Sequence, residues 1–230
     1  MAQTTGKTRA VEELDSTAAV RKIAAALPPV ERAYALVRFT ILRTKLLAMM
    51  NLVLPARGRI LDVGCGFGLF SNYFALMAPE RAITGVDPNG RRIVMAREVA
   101  RALGVQHNTY EEGTIESVDL TPGFDGIFML DVLHHVPPQF QDSLLERLRD
   151  LLRPGGVLLI KDITTDSLWK LKFTEYLDRA MVGMHEPLTY KHHHTWADKL
   201  ESLGFSVRIV RVPDVLPYPH VVLVATKDPA

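Results

Sequence analysis

Apolar residues change their spacing along this chain, and the change divides it into a helical leader and a long β/α region. Over Thr17 to Leu27, and again from Glu31 to about Leu52, they recur at helical intervals. Val37, Ile41, Leu42, Leu46, Met49 and Met50 carry the second stretch, which Pro28-Pro29 precede and Pro55 and Gly58 end. The pattern predicts one short helix and one long one, the latter made cationic by Arg32, Arg38, Arg43 and Lys45. From Arg59 onward, short apolar runs alternate with amphipathic stretches. Strands are expected over Ile60 to Val63, Ala82 to Val86, Gln106 to Glu111 and Phe124 to Leu130. Helices are expected from Leu69, over Arg91 to Leu103 with Gly104 as its stop, and over Gln139 to Leu152. Pro154-Gly155-Gly156 then turns the chain into a fifth strand, Val157 to Lys161.

This alternation predicts an α/β fold with a doubly wound, mostly parallel sheet of seven strands. The tail differs in style. Ser167 to Met184 reads as an extra helical stretch, Trp196 to Leu203 as a helix, and Phe205 to Val212 and His220 to Thr226 as the last strands. The loop between these two is too short for a crossover helix, so they form an antiparallel hairpin. Two regions are therefore expected: a helical leader or cap over residues 1–55, and a main domain over 56–230 with a lid insert at about 166–194.

Composition narrows the function. Twenty-seven basic against 26 acidic residues give no electrostatic reason to expect nucleic acid. The single cysteine, Cys65, excludes an internal disulfide and fits a reducing compartment. The polar first 17 residues read as a frayed tail without the apolar core of a signal peptide, and no apolar run reaches membrane-spanning length before a charge. A cytoplasmic protein without membrane insertion is expected; the oligomeric state is left open, a homodimer included.

The chemistry gathers at Arg59 to Tyr73. There a buried strand bearing Asp62 runs into Gly64-Cys65-Gly66-Phe67-Gly68 and then a helix. Glycines allow the sharp bend and the close approach of a ligand to the backbone, and the helix N-terminus offers its N–H groups. Cys65 reads as a small spacer in this turn. Asp87 closes the second strand 19 residues after Gly68, where a carboxylate grips ribose hydroxyls. The third glycine falls at Gly68, one residue earlier than a dinucleotide turn requires, since Leu69 stands at that place.

The run ILDVGCGFG with Asp87 beyond it resembles the first motif of the class I S-adenosylmethionine-dependent methyltransferases. FDGIFMLDVLHHVP, Phe124 to Pro137, is similar to that family's fourth-strand motif, and LLRPGGVLLIKD, Leu151 to Asp162, to its fifth. The resemblance covers Arg59 to Lys227 and includes the closing hairpin, so a Rossmann-like methyltransferase fold is implied. It further implies S-adenosyl-L-methionine as cofactor, held by Gly64, Cys65, Gly66 and Gly68, with Asp62 near its amino end and Asp87, beside Pro88, on the ribose. Many members place an acidic residue after the third strand for the adenine; here Gly113-Thr114-Ile115 stands there, and the resemblance assigns Thr114 and Ile115 to that end. Asp131 and His134 complete the implied cofactor set.

Methyl transfer asks the protein mainly to hold two atoms at contact distance and to exclude water. An oxygen acceptor also needs a base, and histidine is the side chain that titrates nearest neutrality. His135 is the candidate, with Asp131 beside it. In the phosphoethanolamine methyltransferases a histidine at this position works with an N-terminal tyrosine, for which Tyr34 is the counterpart. Packing beneath the adenine is the competing role for both His134 and His135. His185 and His192-His193-His194 form a second group; adjacent side chains diverge, and the absence of a zinc-type spacing points to a solvated or acceptor-facing loop without metal. The expected reaction moves a methyl group to oxygen or nitrogen of a partly apolar small molecule. Carbon methylation of a quinone-like or prenylated acceptor, and a non-catalytic cofactor-binding protein, are the alternatives.

Overall fold

The computed structural model describes residues 16–165, 172, 175–176, 188–211 and 219–229. Three helices lead the chain: α1 (Ser16–Ala26), α2 (Pro29–Leu42) and α3 (Thr44–Val53). The sheet then builds through β1 (Gly58–Val63), β2 (Arg81–Asp87), β3 (Thr109–Glu112), β4 (Phe124–Leu130), β5 (Leu152–Ile163), β6 (Phe205–Arg211) and β7 (His220–Lys227). Helices α4 (Leu69–Met77), α5 (Gly90–Leu103), α6 (Pro138–Leu151) and α7 (His193–Ser202) connect these strands.

The strand order is β3-β2-β1-β4-β5-β7-β6. Strands β1 to β5 pair in parallel, and β7 runs against both β5 and β6, as the expected hairpin requires. The order reverses between β1 and β4, so their carboxyl ends open a crevice at a topological switch point. Helix α4 is buried at every position from Leu69 to Ala75, because it lies between the sheet and the leader helices. Phe39 of α2 meets Phe70 edge-on at 5.6 Å, and Phe74 meets Phe128 of β4 at 5.0 Å. Each such buried aromatic contributes about 1.5–3 kcal/mol through burial alone.

Arg81 ties the leader to the sheet. Its guanidinium is 2% exposed and donates to the carbonyls of Asn51, Leu54, Pro55 and Phe74 and to the Asn51 side chain at 2.6 Å. Carbonyls left open at the ends of α3 and α4 are thereby satisfied by one side chain. Burial lowers its pKa to about 10, which leaves it charged at neutral pH.

Several boundaries depart from the sequence expectation, that of α7 among them, which begins at His193 and not at Trp196. The long helix over residues 31–52 is two helices, broken at Arg43, which takes φ 42° and ψ 138°. Neither glycine nor proline marks the break; it lets α2 bury Leu42 and α3 bury Leu47, both fully. The third strand begins three residues later than expected and ends at Glu112. The fifth strand begins at Leu152, so Arg153-Pro154-Gly155-Gly156 lies within it as an irregularity where the register against β4 jumps from Phe124↔Leu152 to Gly126↔Val157. Of the proposed lid, residues 166–171, 173–174 and 177–187 lie outside the described residues, His185 among them.

Candidate active site

Past Val63 the backbone turns through three glycines with positive φ: Gly64 at 72°, Gly66 at 53° and Gly68 at 70°. A Cβ on Gly64 would come within 2.6 Å of Val132, whereas one on Gly66 would meet no protein atom within 4 Å. Gly66 therefore presents open backbone to the crevice, the arrangement a ligand lying against the chain requires. The turn is fixed from β2. The N–H groups of Gly64 and Cys65 both donate to the Val86 carbonyl, at 2.8 and 3.1 Å. Asp87 accepts the Gly66 N–H on Oδ2 and the Asn89 N–H on Oδ1, each at 2.9 Å.

Asp62 lies in the floor, 3% exposed, where the Ser71 hydroxyl donates to its Oδ2 at 2.5 Å. Burial raises its pKa to about 7; the Ser71 hydrogen bond lowers it and the nearby Asp87 charge raises it. Cys65 packs under Gly85, and burial pushes its thiol well above the ordinary range, so it is a spacer and not a nucleophile.

A cavity of about 1310 Å³ runs from this turn to the end of β4, room for a nucleoside and a second small molecule together. Asp62, Gly64, Cys65, Gly66, Asp87, Pro88, Thr114 and Ile115 line one part of it, and Tyr34, Asp131 and His135 another. Two expected residues stand apart. Gly68 is not in the wall; a Cβ there would crowd the Tyr110 hydroxyl and Asn72, so it serves the packing beneath the turn. His134 is also absent from the wall. It is 2% exposed, its Nδ1 lies 2.5 Å from Asp162 Oδ1, its carbonyl accepts the Thr189 N–H, and its ring stacks on Tyr190. It pins residues 189–190 to the end of β5 rather than facing the crevice. The Thr114 N–H donates to the Ser117 hydroxyl at 2.8 Å, and Thr114 stays in the cavity wall.

Asp131 occupies a left-handed backbone conformation, φ 57°, rare outside glycine. Its N–H donates to the Lys161 carbonyl, the Lys161 ammonium holds Oδ1, and Arg38 of α2 donates to Oδ2 at 2.9 Å. Burial favours the neutral acid, but the two cations outweigh it and hold this carboxyl far below the usual range. Asp131 is therefore a fixed anion with both oxygens engaged, not a proton acceptor. The following turn has Val132 at its N-cap position, without a side-chain bond.

His135 differs. It sits in the 3₁₀ turn Leu133–His135 with its Nδ1 buried and without a hydrogen-bond partner. Burial, and then the neighbouring His134, lower its pKa to about 4, so its ring is neutral across the physiological range. Tyr34 reaches the same cavity from α2 and meets Phe67 edge-on at 5.7 Å. Arg92 stands over the other side of Phe67, 5.5 Å from its centroid.

His192, His193 and His194 do not diverge as adjacent residues were expected to. Their rings lie 4.3 to 5.2 Å apart, with ligand atoms within 4.8 Å of one another. However, His192 Nδ1 accepts the His194 N–H as the N-cap of α7, and a helix N-terminus disfavours a cation. His193 Nδ1 lies 2.8 Å from the Thr164 hydroxyl. The group caps a helix and packs it to β5.

Sequence reasoning missed Glu112 and underrated Arg38. Glu112 ends β3 opposite Asp87, its carboxylate lies over Gly90, and it lines the cavity. The signal was present: an acidic residue at a strand end, hidden by a boundary set one residue short.

The model of the methyltransferase domain matches residues 30–209. A ubiquinone biosynthesis O-methyltransferase of Paramagnetospirillum magneticum is 31% identical over 163 residues, 69% of this chain and 64% of that protein. One of Azorhizobium caulinodans is 35% identical over 111 residues, 47% of this chain and 42% of the relative. The chain thus spans about half the length of the curated relatives it matches. Among solved structures, the S-adenosylmethionine-dependent methyltransferase SibL in its apo form superposes with a TM-score of 0.70 at 22% identity, covering 89% of this chain and 61% of SibL. Magnesium protoporphyrin IX methyltransferase from Synechocystis PCC 6803 with bound SAH gives 0.64 at 17%, covering 88% of each chain. These two likenesses show the fold, and the domain match spans most of the chain from α2 to β6. The protein belongs to the methyltransferase domain family, with the architecture of its class I S-adenosyl-L-methionine-dependent members.

Proposed function

We propose that this protein transfers a methyl group from S-adenosyl-L-methionine to an oxygen atom of a partly apolar small molecule. The neutral ring of His135 carries this reading, because it lines the same cavity as the Gly66–Asp87 crevice. The names of the curated relatives, O-methyltransferases of ubiquinone biosynthesis, support oxygen as the methylated atom.

The open backbone of Gly66 and the carboxylate of Asp87 fit the nucleoside portion of the donor, and Asp62 fits its cationic amino-acid end. Ile115 offers an apolar face for the base, and Glu112 supplies the acidic group that Thr114 does not. When bound, the cofactor would supply an electrophilic methyl group on a sulfonium for transfer to the acceptor oxygen. The His135 ring, which lines the cavity, takes the acceptor's hydroxyl proton on the nitrogen other than the buried Nδ1. Its weak basicity favours acidic hydroxyls, such as phenols, over aliphatic alcohols. Tyr34 and Phe70 form apolar wall on the α2 and α4 side and keep water from the transfer. Helix α2 thus serves as a cap over the acceptor.

The test is release of S-adenosylhomocysteine across a panel of phenols, catechols and amines. Turnover on a hydroxylated acceptor, lost in His135→Ala with donor binding retained, supports the reading. Donor binding without turnover on any acceptor would instead favour a binding protein. No helix among the described residues is long and apolar enough to cross a membrane.

A further inference from the structure

Two carboxylates line one wall of the crevice, and they are treated unequally. Asp87 accepts two backbone N–H groups, one on each oxygen, from Gly66 and Asn89. Asp62 is buried at 3% exposure, and its support comes from one residue, the fully buried Ser71, whose hydroxyl donates to Oδ2 at 2.5 Å and whose backbone N–H also favours the anion. A second negative charge beside Asp87 is costly unless something cationic arrives or a proton stays.

We propose that Asp62 and Ser71 hold a proton between them until the cationic amino-acid end of the donor binds, which expels that proton to solvent. Ser71 is then a positioning residue for donor binding, acting through Asp62. The inference rests on the donor assigned above. No bond to carbon or sulfur changes; one proton leaves Asp62 as one positive charge enters.

The groups facing Asp62 leave the effect readable. From β2, Asp87 opposes its ionisation; from the glycine turn, the Cys65 thiol, and from β3, the Tyr110 phenol are both pushed above their ordinary values and stay neutral. Phe128 of β4, its register partner, is uncharged. Elsewhere in the cavity His135 titrates near about 4 and Asp131 lower still. With Asp62 half ionised at about 7, the affinity for S-adenosylhomocysteine rises more than about tenfold from pH 5.5 to pH 7. The ligand's own amino group loses its proton above this window.

Calorimetric titration of the whole chain with S-adenosylhomocysteine, in buffers of different ionisation enthalpy, reads both affinity and proton release. Wild type is expected to release about half a proton at pH 7 and nearly one at pH 6. Asp62→Asn should bind at its weak, low-pH level throughout, with no proton release. Ser71→Ala removes the hydroxyl that favours the anion, so its midpoint moves to higher pH and its proton release at pH 7 rises above that of wild type. A pH-independent wild-type affinity, or a Ser71→Ala loss equal at every pH, would overturn the proposal while leaving the donor assignment standing. Failure of the ligand to bind at any pH would overturn both.

Discussion

Asp131 and Lys161 are tied twice: the Asp131 N–H donates to the Lys161 carbonyl at 2.8 Å, and the Lys161 ammonium holds the Asp131 carboxylate. The double tie fixes an aspartate in left-handed backbone at the end of β4, and Arg38 then fastens α2 to it from above. Removing Lys161 leaves a buried carboxylate held by the Arg38 side chain. Lys161→Met should therefore cost about 3–5 kcal/mol in urea unfolding. The sign with pH follows from the depressed carboxyl: the stability it confers is full above the unfolded carboxylate pKa and lost as pH falls below it. A loss under about 1 kcal/mol would show the pair to be incidental.

Arg81 closes the ends of two helices from inside the protein. Arg81→Lys keeps the charge but cannot reach five acceptors with three donors, leaving buried carbonyls open. A destabilisation of about 3 kcal/mol is expected by thermal or urea unfolding. An unchanged midpoint would mean that water serves those carbonyls equally well.

The glycine turn separates strain from ligand contact. Gly64→Ala forces a left-handed alanine against Val132 and should cost about 2–5 kcal/mol. Gly66→Ala carries only the backbone cost, about 1–2 kcal/mol, because its Cβ enters open space. Its larger effect should fall on donor affinity. Equal losses of stability in the two variants would contradict the assignment of Gly66 to the ligand face.

For His135→Ala, turnover on a hydroxylated acceptor at saturating donor should fall by about 10²- to 10⁴-fold. Donor affinity should hold within about twofold. Because His135 is neutral above about pH 4, its acid limb in kcat lies there, and the profile is flat on its account from pH 5.5 upward. Parallel loss of donor binding and turnover would mark the ring as packing.

Much of this was legible in the chain because it is local. Gly64, Gly66 and Asp87 are placed by a strand, a turn and a second strand close in sequence, and strand periodicity survives in β4 to the residue. What was hidden depends on distance or on packing. Arg38 meets Asp131 across 93 positions, which no periodicity reports. The break at Arg43 has no glycine or proline, since it is imposed by the burial of both flanking helices. Glu112 was lost to a boundary of one residue, and His134 turned from the cofactor because Asp162, on the neighbouring strand, holds its ring.

Titration of the protein with S-adenosylhomocysteine, wild type beside Asp87→Ala, bears most directly on the crevice between β1 and β2. Single-site binding that weakens at least about tenfold in the variant is the expected result, since one charge-assisted contact is removed. Equal affinity in both proteins, or no binding in the wild type, would contradict the placement of the donor.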